Sequence, residues 1–364
     1  MSDLQYRKAL EHISPYKPAK TLVKIKEELG LEHIIRLAAN ENTMGCSPHV
    51  QEAVNAALKD IYLYPDGFCH DLRAQLAQTC HFDPHQLIFS NGSFELISLI
   101  AQAFLNPGEE SIIPEPSFGW YKVVTLGMDG VVNNVPLKNH CIDLQRIQRE
   151  INDKTRIIWL CNPNNPTGTF FTQSQLESFI ADIPPQIIIV LDEAYYEFVT
   201  DKSYPDSVSL IEKHPNIIVL RTFSKVYGLA SFRLGYGIAG QNIIGNLNKI
   251  RLPINVNYLA QIAGIAALSD REFTKAVLDN NAREKQYYYQ VFKEMSLDYI
   301  PSETNFIMVN AERSSEAVVD EILKKGISVR AGMEFGMPSW LRITIGQPEE
   351  NRLLVTALKE ALPK

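Results

Sequence analysis

Ile217-Ile218-Val219-Leu220 runs directly into Arg221-Thr222-Phe223-Ser224-Lys225-Val226-Tyr227-Gly228-Leu229-Ala230-Ser231-Phe232-Arg233. The four apolar residues read as a buried strand, and the Ser- and Gly-containing stretch after them as a loop. Lys225 therefore stands just past a strand end, with Arg221 and Arg233 on either side. An amine held near a cleft among other cations is biased toward its neutral, nucleophilic form. A solvated lysine is the ordinary alternative, so the reading depends on what the other strand ends carry.

Working outward, short apolar runs alternate with helical patterns from about residue 70 to 270, which is the signature of βαβ units and a mostly parallel sheet. The runs are Leu87-Phe89, Ser111-Ile113, Arg156-Cys161, Ile187-Leu191 and Ile217-Leu220. A helix is expected from Pro48 to about Lys59, opened by its proline. A helix-rich stretch follows the strands, including Tyr258 to Leu268 and Ala282 to Met295. Beyond it, Asn305-Val309, Gly326-Arg330 and Leu341-Ile345 surround a helical pattern at Ser315 to Lys325, with a last helix from Glu349 to Leu362. The expectation is an α/β chain: a large domain with a mostly parallel sheet flanked by helices, plus a smaller α+β domain built from both chain ends. The boundaries expected are 1–45 for an N-terminal arm and part of the small domain, 46–275 for the large domain and 276–364 for the C-terminal one.

Composition narrows the class of function. The 364 residues are 45% hydrophobic and 21% charged, ordinary for a globular protein, and a net charge of -7 without a basic tract argues against a nucleic-acid partner. Cys46, Cys69, Cys80, Cys141 and Cys161 are odd in number and form no C-x-x-C pair, which suits free thiols in a reducing cytoplasm. Neither a signal peptide nor a membrane-length apolar run is visible, so a soluble cytoplasmic protein is expected. His81 and His85 flank Pro84 in a loop-like segment, and no metal is expected there.

In open α/β sheets, ligands bind beyond the carboxyl ends of the strands. Read in order, those ends give Ser90-Asn91-Gly92-Ser93-Phe94-Glu95, a turn at a helix start able to offer N–H groups to an anion. Next come Glu115-Pro116-Ser117-Phe118-Gly119-Trp120-Tyr121, with rings that could stack on a planar ligand or simply pack in a core. Asn162-Pro163-Asn164-Asn165-Pro166-Thr167-Gly168 holds an Asn amide in a tightly turned loop. Asp192-Glu193-Ala194-Tyr195 places an acid after a strongly apolar strand, where it needs a partner or caps a helix. Together with Lys225, Ser224 and Arg233, these supply an amine, an acid, a phenol, an amide, an aromatic ring and phosphate donors. That inventory suits pyridoxal 5′-phosphate.

On these motifs, with Ser14-Pro15-Tyr16, Asn40-Glu41-Asn42, Tyr64-Pro65-Asp66 and Leu341-Arg342-Ile343-Thr344-Ile345-Gly346, the chain resembles the fold type I pyridoxal-phosphate aminotransferases, and among them the branch acting on histidinol phosphate. The resemblance runs essentially end to end. It implies that Lys225 forms the Schiff base with the cofactor and shuttles the proton, that Asp192 pairs with the pyridine nitrogen, and that Asn165 and Tyr195 bind the phenolic oxygen. It further implies that Ser93, Phe94, Ser224 and Arg233 hold the phosphate and that Phe118 stacks on the ring. Tyr64 would reach the phosphate of a neighbouring subunit, in a homodimer with shared active sites. Arg342 and Arg330 would bind an anionic group of the substrate, with Tyr16, Asn42 and Asn305 as further contacts. Arg suits that task because its fork can hold a phosphate or carboxylate bidentately.

The reaction implied is amino transfer from L-histidinol phosphate to 2-oxoglutarate in histidine biosynthesis. Alternatives are an aromatic amino-acid aminotransferase and a threonine-phosphate decarboxylase. A non-catalytic cofactor-binding regulator would call for a DNA-binding module and a basic footprint, and neither is apparent. Phe94 stands where relatives usually carry Asp, Ser231 replaces a common Gly, and Met44 replaces a common Pro.

Overall fold

The computed structural model describes residues 5–15, 22–80 and 83–362; Tyr16 and His81 lie outside them. Its centre is a seven-stranded sheet in the order Leu87–Asn91, Leu234–Ala239, Ile217–Thr222, Ile188–Asp192, Thr155–Cys161, Glu110–Glu115, Val131–Pro136. Six of these seven strands share one direction, and Leu234–Ala239 runs against them, pairing antiparallel with both of its neighbours.

The central strands read as continuous apolar runs because both faces are covered. Ile158, Leu160, Ile189, Leu191 and Val219 belong to one apolar core, whereas Ile157, Trp159, Val190, Ile218 and Leu220 belong to another on the opposite face. The helices Ser93–Phe104 and Trp120–Gly127 pack on the second face, contributing Leu96, Ile97, Ile100 and Tyr121.

Two strands of this sheet were not anticipated. Leu234–Ala239 contains Gly235 and Gly237, which dilute its apolar pattern. A Cβ on Gly235 would press on the backbone at Ser93, so the glycine lets the helix Ser93–Phe104 begin against this strand. Val131–Pro136 is the last strand at one sheet edge, and only Val135 in it is buried. The anticipated runs are also one or two residues short: the ladder continues through Asn91, Asp192 and Thr222, whose polar side chains end the hydrophobic signal before the pairing ends.

A second, antiparallel sheet has the order Arg330–Ala331, Trp340–Thr344, Phe306–Asn310, Tyr299–Ile300. Ile35–Arg36 pairs in parallel with Ile327–Ser328. Leu37 joins a third core with Ile307, Val309, Leu341, Ile343 and Leu354, so residues far apart in the chain close one interior. The long helix Arg271–Glu294 places Tyr288 and Phe292 in that core. Among the described residues, no helix is long and apolar enough to cross a membrane.

Candidate active site

The strand Ile217–Thr222 ends in a turn held by its own side chains. The Ser224 N–H donates to Thr222 Oγ1 at 3.1 Å, and the Thr222 hydroxyl donates to Ser224 Oγ at 3.0 Å. This turn delivers Lys225, half-buried, with Nζ donating to the Ala39 carbonyl at 3.3 Å. Burial and the positive charges of Arg342 and Arg233 push its amine down to about 8, against the opposing pull of Glu41 and Asp192. A lysine so placed has a useful neutral fraction near neutral pH, as a carbonyl-capturing nucleophile requires.

Asp192 is the last residue of its strand and is 4% exposed. The Tyr121 hydroxyl donates to Asp192 Oδ2 at 2.6 Å, while Oδ1 is buried without a partner among the described residues. Burial pushes the carboxyl up to about 6, opposed by the Tyr121 hydrogen bond and the Ala194 N–H. An unpaired carboxylate oxygen at such a position is costly, and a protonated ring nitrogen would satisfy it.

Asn165, Tyr195 and Arg342 form a connected set. Asn165 Nδ2 donates to Tyr195 Oη at 3.4 Å, and Arg342 Nη1 donates to Asn165 Oδ1 at 2.7 Å. Asn40 Nδ2 donates to the same phenol at 3.0 Å. The Tyr195 phenol is pushed up to about 12 by burial, so it is a neutral hydroxyl near pH 7. Arg342 Nη2 reaches the Ala38 carbonyl at 2.9 Å, but its Nε is buried and unpartnered among the described residues. Phe306 and Phe335 lie against the guanidinium, 5.4 and 5.0 Å from its carbon. Burial, with Arg330 nearby, pushes Arg342 down to about 10, so it remains a cation with unspent donor capacity.

At the edge of the large sheet, Gly92 at φ 77 opens the twelve-residue helix Ser93–Phe104. Its first-turn N–H groups make an anion-binding terminus. Arg233, at φ 57, donates from Nη1 to the Ala230 carbonyl at 2.9 Å. A Cβ on Gly92 would strike Arg233 Nη2, so the glycine is what lets this cation lie against the helix start. Ser224 is 8% exposed. Phe118 is half-buried and lies edge-on to Phe94 at 5.1 Å and to Tyr121 at 5.4 Å. Phe94, the residue found where Asp is usual, thus adds a ring to an aromatic group that also includes Trp120 at 5.4 Å.

The remaining expected residues are placed as follows. Arg330 and Arg342 are cross-strand partners in register, and Arg330 forms a half-exposed ion pair with Glu334. Asn305 donates to the Asn40 carbonyl at 3.1 Å and leaves Oδ1 buried without a partner among the described residues. Asn42 has both ends of its amide committed to backbone: Nδ2 to the Val226 carbonyl at 2.9 Å, and Oδ1 to the Met44 N–H at 3.1 Å. That geometry makes it a brace for the Lys225 loop more than a free substrate contact. Tyr64 is 89% exposed. Tyr121 and Asn40 lie in motifs that the sequence pointed to, but neither had a role of its own there. Asn40 adopts a positive φ of 56, which its residue type tolerates, and its motif did not signal its reach to Tyr195.

The match to a family model decides the identity: residues 32–358 correspond to "Aminotransferase class I and II". The chain belongs to the class I and II aminotransferases. This aminotransferase is 46% identical over 357 residues to the histidinol-phosphate aminotransferase of Caldicellulosiruptor saccharolyticus, covering 98% of this chain and all of that one. Histidinol-phosphate aminotransferase 2 of Carboxydothermus hydrogenoformans is 44% identical, over 98% of this chain and 99% of that one. Among solved structures, histidinol-phosphate aminotransferase from Sinorhizobium meliloti in complex with pyridoxal-5′-phosphate superposes with a TM-score of 0.91 at 27% identity, covering 99% and 98% of the two chains.

Proposed function

We propose that this aminotransferase moves the amino group of L-histidinol phosphate to 2-oxoglutarate in histidine biosynthesis, with pyridoxal 5′-phosphate as cofactor, giving imidazole-acetol phosphate and glutamate. The observation that carries the chemistry is the unpartnered Asp192 Oδ1, buried in a cluster that also contains Lys225, Asn165 and Tyr195. The cofactor, when bound, supplies an aldehyde and an electron-poor ring that acidify the substrate carbon bearing nitrogen.

The chain's own residues hold and orient. Asp192 takes the N–H of the ring, Asn165 and Tyr195 donate to the phenolic oxygen, and Phe118 covers a ring face. The N–H groups of Ser93 and Phe94, with Ser224 and Arg233, grip the phosphate. Lys225 would supply the amine for the aldehyde carbon and a proton-carrying group at Nζ. Arg342 and Arg330 receive the anionic end of the substrate, with Asn305 beside them, Tyr16 as a further substrate contact, and Asn42 steadying the Lys225 loop. Two neighbouring guanidinium groups favour a doubly charged phosphate monoester over the uncharged ring of an aromatic amino acid. Glu334 must release Arg330 for this, which costs little because the ion pair is half-exposed.

The test is a donor panel with 2-oxoglutarate as acceptor. The expected order of kcat/KM places L-histidinol phosphate above phenylalanine and threonine phosphate; a higher value for phenylalanine overturns the substrate assignment.

The active form is a homodimer in the cytoplasm, with Tyr64 completing the phosphate site of the other subunit. Ile61, Tyr62, Leu63, Tyr64, Phe68 and Leu252 are all more than half exposed, and such a patch calls for a cover. Gly67 lies against Ile254, and Arg251 over the Phe68 ring, so the two segments form one surface. Sedimentation at micromolar protein is expected to give a single dimeric species, and a monomer would refute this. Within each subunit, 46–275 carries the cofactor, while 1–45 and 276–364 supply the arm and the small domain.

A further inference from the structure

Tyr121 occupies a position that the amino-transfer chemistry described above leaves unused. It is fully buried in the helix Trp120–Gly127, at the boundary between the apolar core and the site. Its ring stacks on Trp159 at 5.0 Å, with the planes 9° apart, and meets the edge of Phe118 at 5.4 Å. Its hydroxyl donates to Asp192 Oδ2 at 2.6 Å. One side chain therefore touches both the ring that would cover the cofactor's face and the acid that would meet its nitrogen.

The hydrogen bond has a direction with a consequence. Asp192 has two oxygens, and the Tyr121 hydroxyl engages one of them while the other stays open. Burial and the adjacent Asp192 charge raise the phenol well above its usual range, so Tyr121 remains a donor at any physiological pH. A donor fixed on Oδ2 favours the ionised carboxylate and stops it rotating about its bond to the chain. A buried acid without that donor tends to take up a proton, and a protonated acid cannot accept the N–H of a cationic ring.

We propose that Tyr121 is a positioning residue, which keeps Asp192 ionised and turns Oδ1 toward the cofactor nitrogen. The inference rests on the cofactor assignment made above. The aromatic framework holds the Tyr121 ring, which stacks on Trp159 and meets Phe118 edge-on, and its hydroxyl, with the Cys161 thiol also beside it, donates to Asp192 Oδ2.

Tyr121→Phe isolates the hydroxyl, because a phenyl ring keeps the stack and the edge contact. The measurement is the dissociation constant of pyridoxal 5′-phosphate from the apo protein, by quenching of tryptophan fluorescence, with kcat measured alongside. Tyr121→Phe is expected to weaken cofactor binding about tenfold and to lower kcat by a similar factor, as loss of one charge-assisted hydrogen bond implies. The apo variant should stay folded but melt below the wild-type temperature, because a buried carboxylate oxygen loses its donor. In an Asp192→Asn background, where there is no charge to support, adding Tyr121→Phe should change cofactor affinity by less than about twofold. An equal loss in both backgrounds, or none in the wild-type background, overturns the proposal. Failure of the wild-type protein to bind the cofactor at all would instead remove the functional reading on which it rests.

Discussion

Lys225→Ala is expected to lower kcat by about 10⁴-fold or more, because it removes the nucleophile and the proton carrier together. No neighbour can replace it. Arg342 stays cationic near neutral pH, and Tyr195 is a neutral phenol whose proton is held by burial. The cofactor should still bind, since Asp192, Arg233 and the N–H groups at Ser93 and Phe94 are untouched, but without its covalent attachment to the chain. Two measurements separate the parts of the claim: single-turnover rates report the chemistry, and absorbance after gel filtration reports cofactor retention and attachment. In the wild-type protein, the apo form should capture the aldehyde faster as pH rises through about 8, where the Lys225 amine loses its proton. The sign follows from burial and from Arg342 and Arg233, which disfavour the charged amine. A variant retaining wild-type turnover would refute the assignment of Lys225.

The apolar runs that announced five of the seven large-sheet strands did so because those strands are buried on both faces and so carry no polar alternation. Leu234–Ala239 escaped because Gly235 and Gly237 serve the helix packed against them and not the hydrophobic pattern. The strand-end chemistry was legible for a related reason. Asp192, Asn165 and Lys225 are polar residues at the ends of apolar runs, where a pattern breaks and the break can be read. Tyr121 breaks no pattern: an aromatic residue inside an apolar helix looks like core, and most of it is. Its hydroxyl meets Asp192 across 71 residues of sequence, and Asn40 meets Tyr195 across 155. Such contacts depend on the rotation of an element about its own axis, which motif order does not report. Asn42 shows the converse: its motif points to the site, yet its amide is consumed by backbone, at Met44 two residues on and at Val226 across 184 residues.

Asp192→Asn should cost on the order of 10³-fold in kcat, comparable to loss of a charge-stabilising group aimed at the reacting centre. A carboxylate at Oδ1 stabilises a proton on the ring nitrogen, and that proton makes the ring accept electrons from the substrate carbon; an amide of the same shape does not. The substitution keeps the volume and still offers an oxygen to the Tyr121 hydroxyl, so packing around Trp159 is undisturbed. Stability should move the other way. In the wild-type protein, burial has pushed the Asp192 carboxyl up to about 6. Its native pKa thus lies above the ordinary aspartate value, so ionisation at pH 7 opposes folding, and an uncharged amide removes that cost. The apo variant is therefore expected to melt at or above the wild-type temperature while turning over far more slowly. Parallel losses of stability and activity would mean that Asp192 acts as a structural acid. Activity falling while the melting temperature holds or rises would place its cost, like that of a strained catalytic group, in the service of the reaction.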